Sequence, residues 1–251
     1  MNGVARPVVA AEDRPVTIGI VVDASGSMRT RQPEVVTAAL AFVHASNPQD
    51  ETFVVNFNDR AFEGLPPSMP FSNHPQQLRA ALPGPKAAGR TALYDALTLD
   101  ADHLAKGKWE NKALLLIGDG GDHNSTHTFA ETMHALQTSG ATVYSIALFD
   151  PDEGEHNVGL LHNLSKMSGG EAFEPMDISE IAPLCLSIPA DIRASYTLAY
   201  TPPQPDRHAA PRNIKVTVTA PNVGNPKNLA AGVFVAGIRT WRDDPENYST
   251  H

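Results

Sequence analysis

Apolar residues recur along this chain in two alternating rhythms. Short unbroken runs mark strands: Val16–Val22, Thr52–Phe57, Ala113–Gly118 and Thr142–Phe149. Between them, apolar positions repeat every three to four residues, as on one face of a helix. Val36, Ala39, Leu40 and Val43 predict a helix that opens with Pro33 in its first turn and stops at Asn47-Pro48. Pro75–Leu82 predicts a short helix ended by Pro83-Gly84-Pro85, and Phe62–Leu65 an edge strand before Pro66-Pro67. Leu93, Ala96, Leu97, Ala101 and Leu104 mark the next helix. Thr128 with Glu131 forms a capping box for a helix carrying Phe129, Met133 and Leu136, which ends at Ser139-Gly140. Leu160, Leu161, Leu164 and Met167 form a further stripe that stops at Gly169-Gly170. Glu171–Phe173 reads as a short strand, and Asp177 with Glu180 as a second capping box opening a helix to about Asp191.

Strands and helices alternate through residue 191. That order predicts an α/β fold: a doubly wound, mostly parallel sheet with helices on both faces, and the very apolar Ala113–Gly118 strand near its centre. Beyond that point the rhythm changes. Tyr196–Tyr200, Ile214–Thr219 and Val233–Ile238 read as strands with no helix between them. The division is a flexible lead over 1–15, a main domain over 16–192, and a small antiparallel, β-rich extension over 193–251.

The chain has 251 residues, enough for a substantial core, and 41 % of them are hydrophobic. Its formal net charge of −9 argues against a nucleic-acid partner, which calls for concentrated Lys and Arg. The lone Cys185 lies in an apolar run, so an intramolecular disulfide is excluded and a buried, inert thiol is expected. No run is long enough for a membrane span, and the N-terminus has no signal-peptide pattern.

The chemistry lies where strands end. Asp23-Ala24-Ser25-Gly26-Ser27 places a carboxylate and two hydroxyls at every second residue after the first strand. Gly89-Arg90-Thr91 precedes a helix, and Asp119-Gly120 follows the Ala113–Gly118 strand. In open α/β sheets, ligands collect beyond the carboxyl ends of the strands. Oxygen-only groups brought to that edge suit a hard divalent cation such as Mg2+.

Asp-x-Ser-x-Ser after the first strand, Gly-x-Thr before a helix and Asp-Gly after a central strand resemble a von Willebrand factor A domain with its metal-ion-dependent adhesion site. The resemblance covers roughly residues 14–192. Thr91-Ala92-Leu93-Tyr94-Asp95-Ala96, Asp119-Gly120-Gly121-Asp122 with Ser125, Tyr196–Pro202 and Arg212–Val216 are similar to bacterial members of this group. One departure is Gly118, where the family often has Ser or Thr. The resemblance implies that Ser25, Ser27 and Thr91 are hydroxyl ligands of Mg2+, with Mn2+ or Ca2+ able to substitute. It implies that Asp23 and Asp119 act close to the ion, directly or through water. It also implies export from the cytoplasm. With at most two protein carboxylates, the ion stays electrophilic and keeps a position for an incoming oxygen. A protein or peptide partner supplying Asp or Glu fits that position, making the chain a cation-dependent binding module and not an enzyme.

Two alternatives belong to other classes. Metal-assisted hydrolysis would need a general base, for which His123 or Asp122 stand nearest in sequence. A structural role would use the C-terminal strands as an open edge. His123 and His127 are four apart, as zinc ligands on a helix can be, but they straddle a helix start and lack a third ligand. Asp122 reads first as a group that holds its loop through backbone N–H donors. The acidic cluster Asp150, Asp152, Glu153 and Glu155 does not reproduce a Ca2+-loop pattern.

Overall fold

A computed structural model describes residues 15–84, 87–149 and 156–193. Six strands form one sheet in the order β3-β2-β1-β4-β5-β6. They are β1 (Thr17–Asp23), β2 (Glu51–Phe57), β3 (Ala61–Glu63), β4 (Lys112–Gly118), β5 (Thr142–Ala147) and β6 (Ala172–Phe173). Every neighbouring pair is parallel except β2 with β3. The helices are α1 (Gln32–Ala45), α2 (Pro75–Ala81), α3 (Leu93–Leu104), α4 (Phe129–Ser139), α5 (Val158–Ser168) and α6 (Ile178–Arg193). α1 packs with α2 and α6, while α3 and α5 flank α4 in a second group. All seven residues of β1 are buried, as expected of a parallel strand covered on both faces.

This is the doubly wound architecture that the alternating pattern predicts, with β4 at the centre beside β1. The chain runs outward from β1 to β2 and β3, then returns to place β4 on the other side of β1. The switch point therefore lies between β1 and β4, where a crevice opens beyond their carboxyl ends.

Several local signals hold. Pro33 lies in the first turn of α1. The Thr128–Glu131 capping box is complete, with Thr128 N–H donating to Glu131 Oε2 at 2.8 Å and Glu131 N–H to Thr128 Oγ1 at 3.3 Å. Gly140 and Gly169 end α4 and α5 in the left-handed region. Cys185 is fully buried and its thiol is pushed up to about 12 by burial.

Others shift. Asp23 is not in the loop but is the last residue of β1, paired with Phe57. A 3₁₀ turn, Gly26–Met28, tightens the motif that follows, and Met28 is buried beneath it. At α6 the capping box is replaced by a looser arrangement. Asp177 Oδ1 accepts from Ser179 N–H at 2.8 Å, and Glu180 reaches back one residue further, to Met176 N–H at 2.9 Å. The flexible lead (except Pro15), the acidic cluster 150–155 and the β-rich extension from 194 onward lie outside the described residues.

Candidate metal centre

Four of the five predicted ligands meet at the switch point. Asp23 brings its carboxylate to the end of β1 and Asp119 follows the end of β4. Asp23 Oδ1 accepts from Ser25 N–H at 2.8 Å, which curls the motif back on itself. The Ser25 and Ser27 hydroxyls lie 3.0 Å apart, and Ser27 Oγ donates to Asp119 Oδ2 at 2.5 Å. Asp119 Oδ1 accepts from Gly121 N–H at 2.8 Å, fixing the third loop. Asp23, Ser25 and Asp119 are buried, while Ser27 is partly exposed.

The fifth residue, Thr91, arrives separately. It is buried on the second loop, and its hydroxyl makes no hydrogen bond to the other four among the described residues. Its carbonyl accepts from His123 N–H at 2.8 Å and Asn124 N–H at 2.9 Å, tying the second loop to the third. The second loop is also tied to the first, through Gly26 N–H to the Gly89 carbonyl and Ala88 N–H to the Ala24 carbonyl, both at 3.1 Å.

The electrostatics are uncomfortable for a protein without a cation. Asp23 Oδ2 is buried with no hydrogen-bond partner among the described residues. Burial, then the neighbouring Asp119 charge, raise the Asp23 carboxyl to about 7; donors from Ser25 and the Asp119 backbone only partly offset this. A divalent cation would relieve both causes. The donor set is oxygen-only, as Mg2+ prefers, and the hydroxyls leave the carboxylates as its sole protein charges. Among the described residues no group of three or more His, Cys, Asp or Glu is gathered to hold a metal, so any cation here depends on hydroxyl oxygens.

Of the nearby candidates, Asp122 and His127 are otherwise engaged. Asp122 Oδ1 accepts from Leu93 N–H at 2.8 Å, Tyr94 N–H at 3.3 Å and Ser125 Oγ at 2.5 Å. It caps α3, whose own N-cap residue, Ala92, has no side chain able to do so. His127 Nδ1 lies 2.7 Å from Asp95 Oδ1, and that carboxylate also takes the His127 and Thr126 backbone N–H groups. His123 is exposed on the rim and bonds Thr91 only through its backbone. Two supporting residues carry no signal in the motif. Gln32 Nε2, buried at the start of α1, donates to the Asp23 carbonyl at 2.8 Å. Asp59, in the β2–β3 turn, bonds the second loop. A long polar residue just inside a helix start, 9 residues after Asp23, is the only hint of the former.

Comparisons with known proteins agree with this fold. Residues 18–121 match the von Willebrand factor type A domain family. No protein of curated function matches the chain. Among solved structures, the chain is similar to a von Willebrand factor type A protein from Catenulispora acidiphila, with 20 % identity and a TM-score of 0.61. That match covers 71 % of this chain and 43 % of the other, so this chain spans less than half of that relative. It is also similar to proximal thread matrix protein 1 from the mussel byssus, with 17 % identity, a TM-score of 0.58, and coverage of 74 % and 50 %. An aerotolerance-related membrane protein from Bacteroides fragilis matches with 16 % identity, a TM-score of 0.54, and coverage of 70 % and 99 %. At these identities the similarity concerns the fold. The family match over residues 18–121 and the strand order together give this part of the chain a von Willebrand factor type A fold.

Proposed function

We propose that this chain is a divalent-cation-dependent binding module. In this reading Mg2+, replaceable by Mn2+ or Ca2+, is held by Ser25, Ser27 and Thr91, with Asp23 and Asp119 bound directly or through water. An Asp or Glu from a protein or peptide partner completes its coordination. The observation that carries the reading is the buried, unpartnered Asp23 Oδ2 beside Asp119 and two serine hydroxyls at the sheet's switch point. Von Willebrand factor type A domains commonly serve as interaction modules, which supports the same class of function.

The chain's own residues divide the work. Ser25 N–H and Gly121 N–H orient the two aspartates, and Ser27 bridges the first loop to the third. Gln32 fixes the end of β1 from beneath. The cation, when bound, supplies a Lewis-acidic position for an incoming carboxylate. Arg29 and Arg90 are exposed on the first two loops with no ion pair among the described residues, and their charge favours an acidic partner. Binding is preferred over hydrolysis because Asp122, one of the two bases considered, is committed to three donors.

An exported location belongs to the proposal. It follows the resemblance to exported bacterial members, and the Bacteroides fragilis neighbour is described as a membrane protein. No helix among the described residues is long and apolar enough to cross a membrane. The test is capture of peptides bearing a single Glu, with Mg2+ and with EDTA, by wild type and Asp23→Ala. Metal-dependent capture lost in the variant supports the reading; equal capture in all four conditions removes it.

A further inference from the structure

Thr91 is clasped by a turn that belongs to none of the three loops. Asn58–Arg60 joins β2 to β3, and both neighbours of Thr91 bond to it. Arg90 N–H donates to Asp59 Oδ1 at 2.7 Å, and Ala92 N–H donates to the Asn58 carbonyl at 2.8 Å. The same turn reaches the third loop, where Asn124 Nδ2 donates to the Asp59 carbonyl at 2.8 Å. Since Asn124 and His123 also donate to the Thr91 carbonyl, Thr91 sits in a closed ring of hydrogen bonds through the turn, the second loop and the third.

An aspartate in an Asn-Asp turn ordinarily caps that turn. Asp59 does not. Among the described residues its only side-chain hydrogen bond spans 31 residues to Arg90. Its carboxylate also lies flat against Gly89, whose φ is +93°. A Cβ there would come within 2.5 Å of Asp59 Oδ2, so the carboxylate sits close against this segment, and the backbone conformation itself calls for glycine. The side chain is thus fitted to the segment that carries Thr91, although Asp59 itself is exposed and adds nothing to the core.

We infer that Asp59 is a positioning residue of the metal site, holding Gly89–Ala92 so that the Thr91 hydroxyl stands where the cation needs it. The inference rests on the proposed metal-binding reading. Outer partners of metal ligands typically change affinity by roughly 10–100-fold when removed. Here the active feature is an acceptor atom and not the charge, so Asn should substitute for Asp where Ala cannot.

The experiment is Mn2+ binding to the metal-free protein, read by paramagnetic resonance and calorimetry, for wild type, Asp23→Ala, Asp59→Ala and Asp59→Asn. Thermal melting and the backbone amide resonances of Arg90 and Thr91 are followed in parallel. The expected result is Mn2+ affinity reduced about tenfold or more in Asp59→Ala and restored to within about threefold in Asp59→Asn, with little change in melting. The Arg90 amide should move in Asp59→Ala alone. Wild-type affinity in Asp59→Ala, equal losses in both Asp59 variants, or an unmoved Arg90 amide would each overturn the inference while leaving the metal site standing. Wild type binding Mn2+ no better than Asp23→Ala would instead remove the metal reading, and this inference with it.

Discussion

Asp23 and Gly118 face each other across the β1–β4 seam so closely that a Cβ on Gly118 would lie 2.8 Å from the Asp23 Cβ and 3.0 Å from its Oδ2. The glycine that departs from the family's usual Ser or Thr is therefore what makes room for this aspartate's side chain. Gly118→Ala should push Asp23 out of place, costing about 1–3 kcal/mol of stability and weakening Mg2+ binding more than the fold. Calorimetric titration with Mg2+ beside urea unfolding checks this; unchanged affinity in a folded variant would contradict it.

The Asp23 carboxyl gives the metal-free protein an unusual pH response. Burial and then Asp119 raise it from an ordinary 3.8 to about 7. The folded state therefore holds a proton that the unfolded chain releases, so this stabilisation is fully present below about pH 4 and is lost as pH rises to about 7. The loss is at most about 4 kcal/mol, from roughly three units at 1.36 kcal/mol each. Melting temperature without metal should fall between about pH 4 and about pH 7 and level off above that, and Asp23→Asn should flatten that fall. Excess Mg2+ should restore more stability at the higher pH; a melting curve indifferent to both changes would speak against a strained carboxylate here.

Asp100 is a second buried acid, remote in sequence from the metal motif. It lies in α3 against Gly19 of β1, fully buried, with neither oxygen hydrogen-bonded among the described residues. Burial alone raises its carboxyl well above the ordinary range. By the same sign, it destabilises the fold as pH rises past the unfolded value. Asp100→Asn removes the proton uptake and should stabilise by about 1–3 kcal/mol near neutral pH, with little gain in acid. Thermal melts at several pH values measure it. A variant less stable than wild type at every pH would mean that the carboxylate is better satisfied than its surroundings indicate.

Asp122 should matter to the fold and to the second loop together. It replaces the cap that Ala92 cannot provide and receives Ser125 from its own loop. Asp122→Ala should cost about 1–2 kcal/mol and loosen α3 at its start. Hydrogen exchange at Leu93 and Tyr94 reports the loosening directly; unaltered protection at those amides would show the cap to be dispensable.

The legible part of this protein is the part written in local pattern. Buried parallel strands read as unbroken apolar runs, and Thr128–Glu131 marks a helix start within four residues. The three loops could be recognised because each is a short motif at a strand end or helix start. What escaped was long-range or looked ordinary. Asp59 resembles any turn former, and its bond to Arg90 lies 31 residues away. Asp100 falls on the same helical stripe as Ala96, Leu97 and Leu104, but a hydrophobic pattern passes over a carboxylate. The role of Gly118 is visible only once β1 and β4 are side by side. At Asp177 the residue types fit a capping box and α6 starts directly after it, yet Asp177 takes the Ser179 N–H and Glu180 reaches past Asp177 to the Met176 N–H.

The central claim is that the Asp23–Asp119 crevice holds a divalent cation. The most direct measurement is calorimetric titration of Mg2+ into chelator-treated wild type and Asp23→Ala, with circular dichroism confirming that both are folded. The account predicts saturable binding of one ion per chain by wild type, weakened at least roughly tenfold in the variant. No saturable binding by folded wild type, or equal binding by the two, would contradict it.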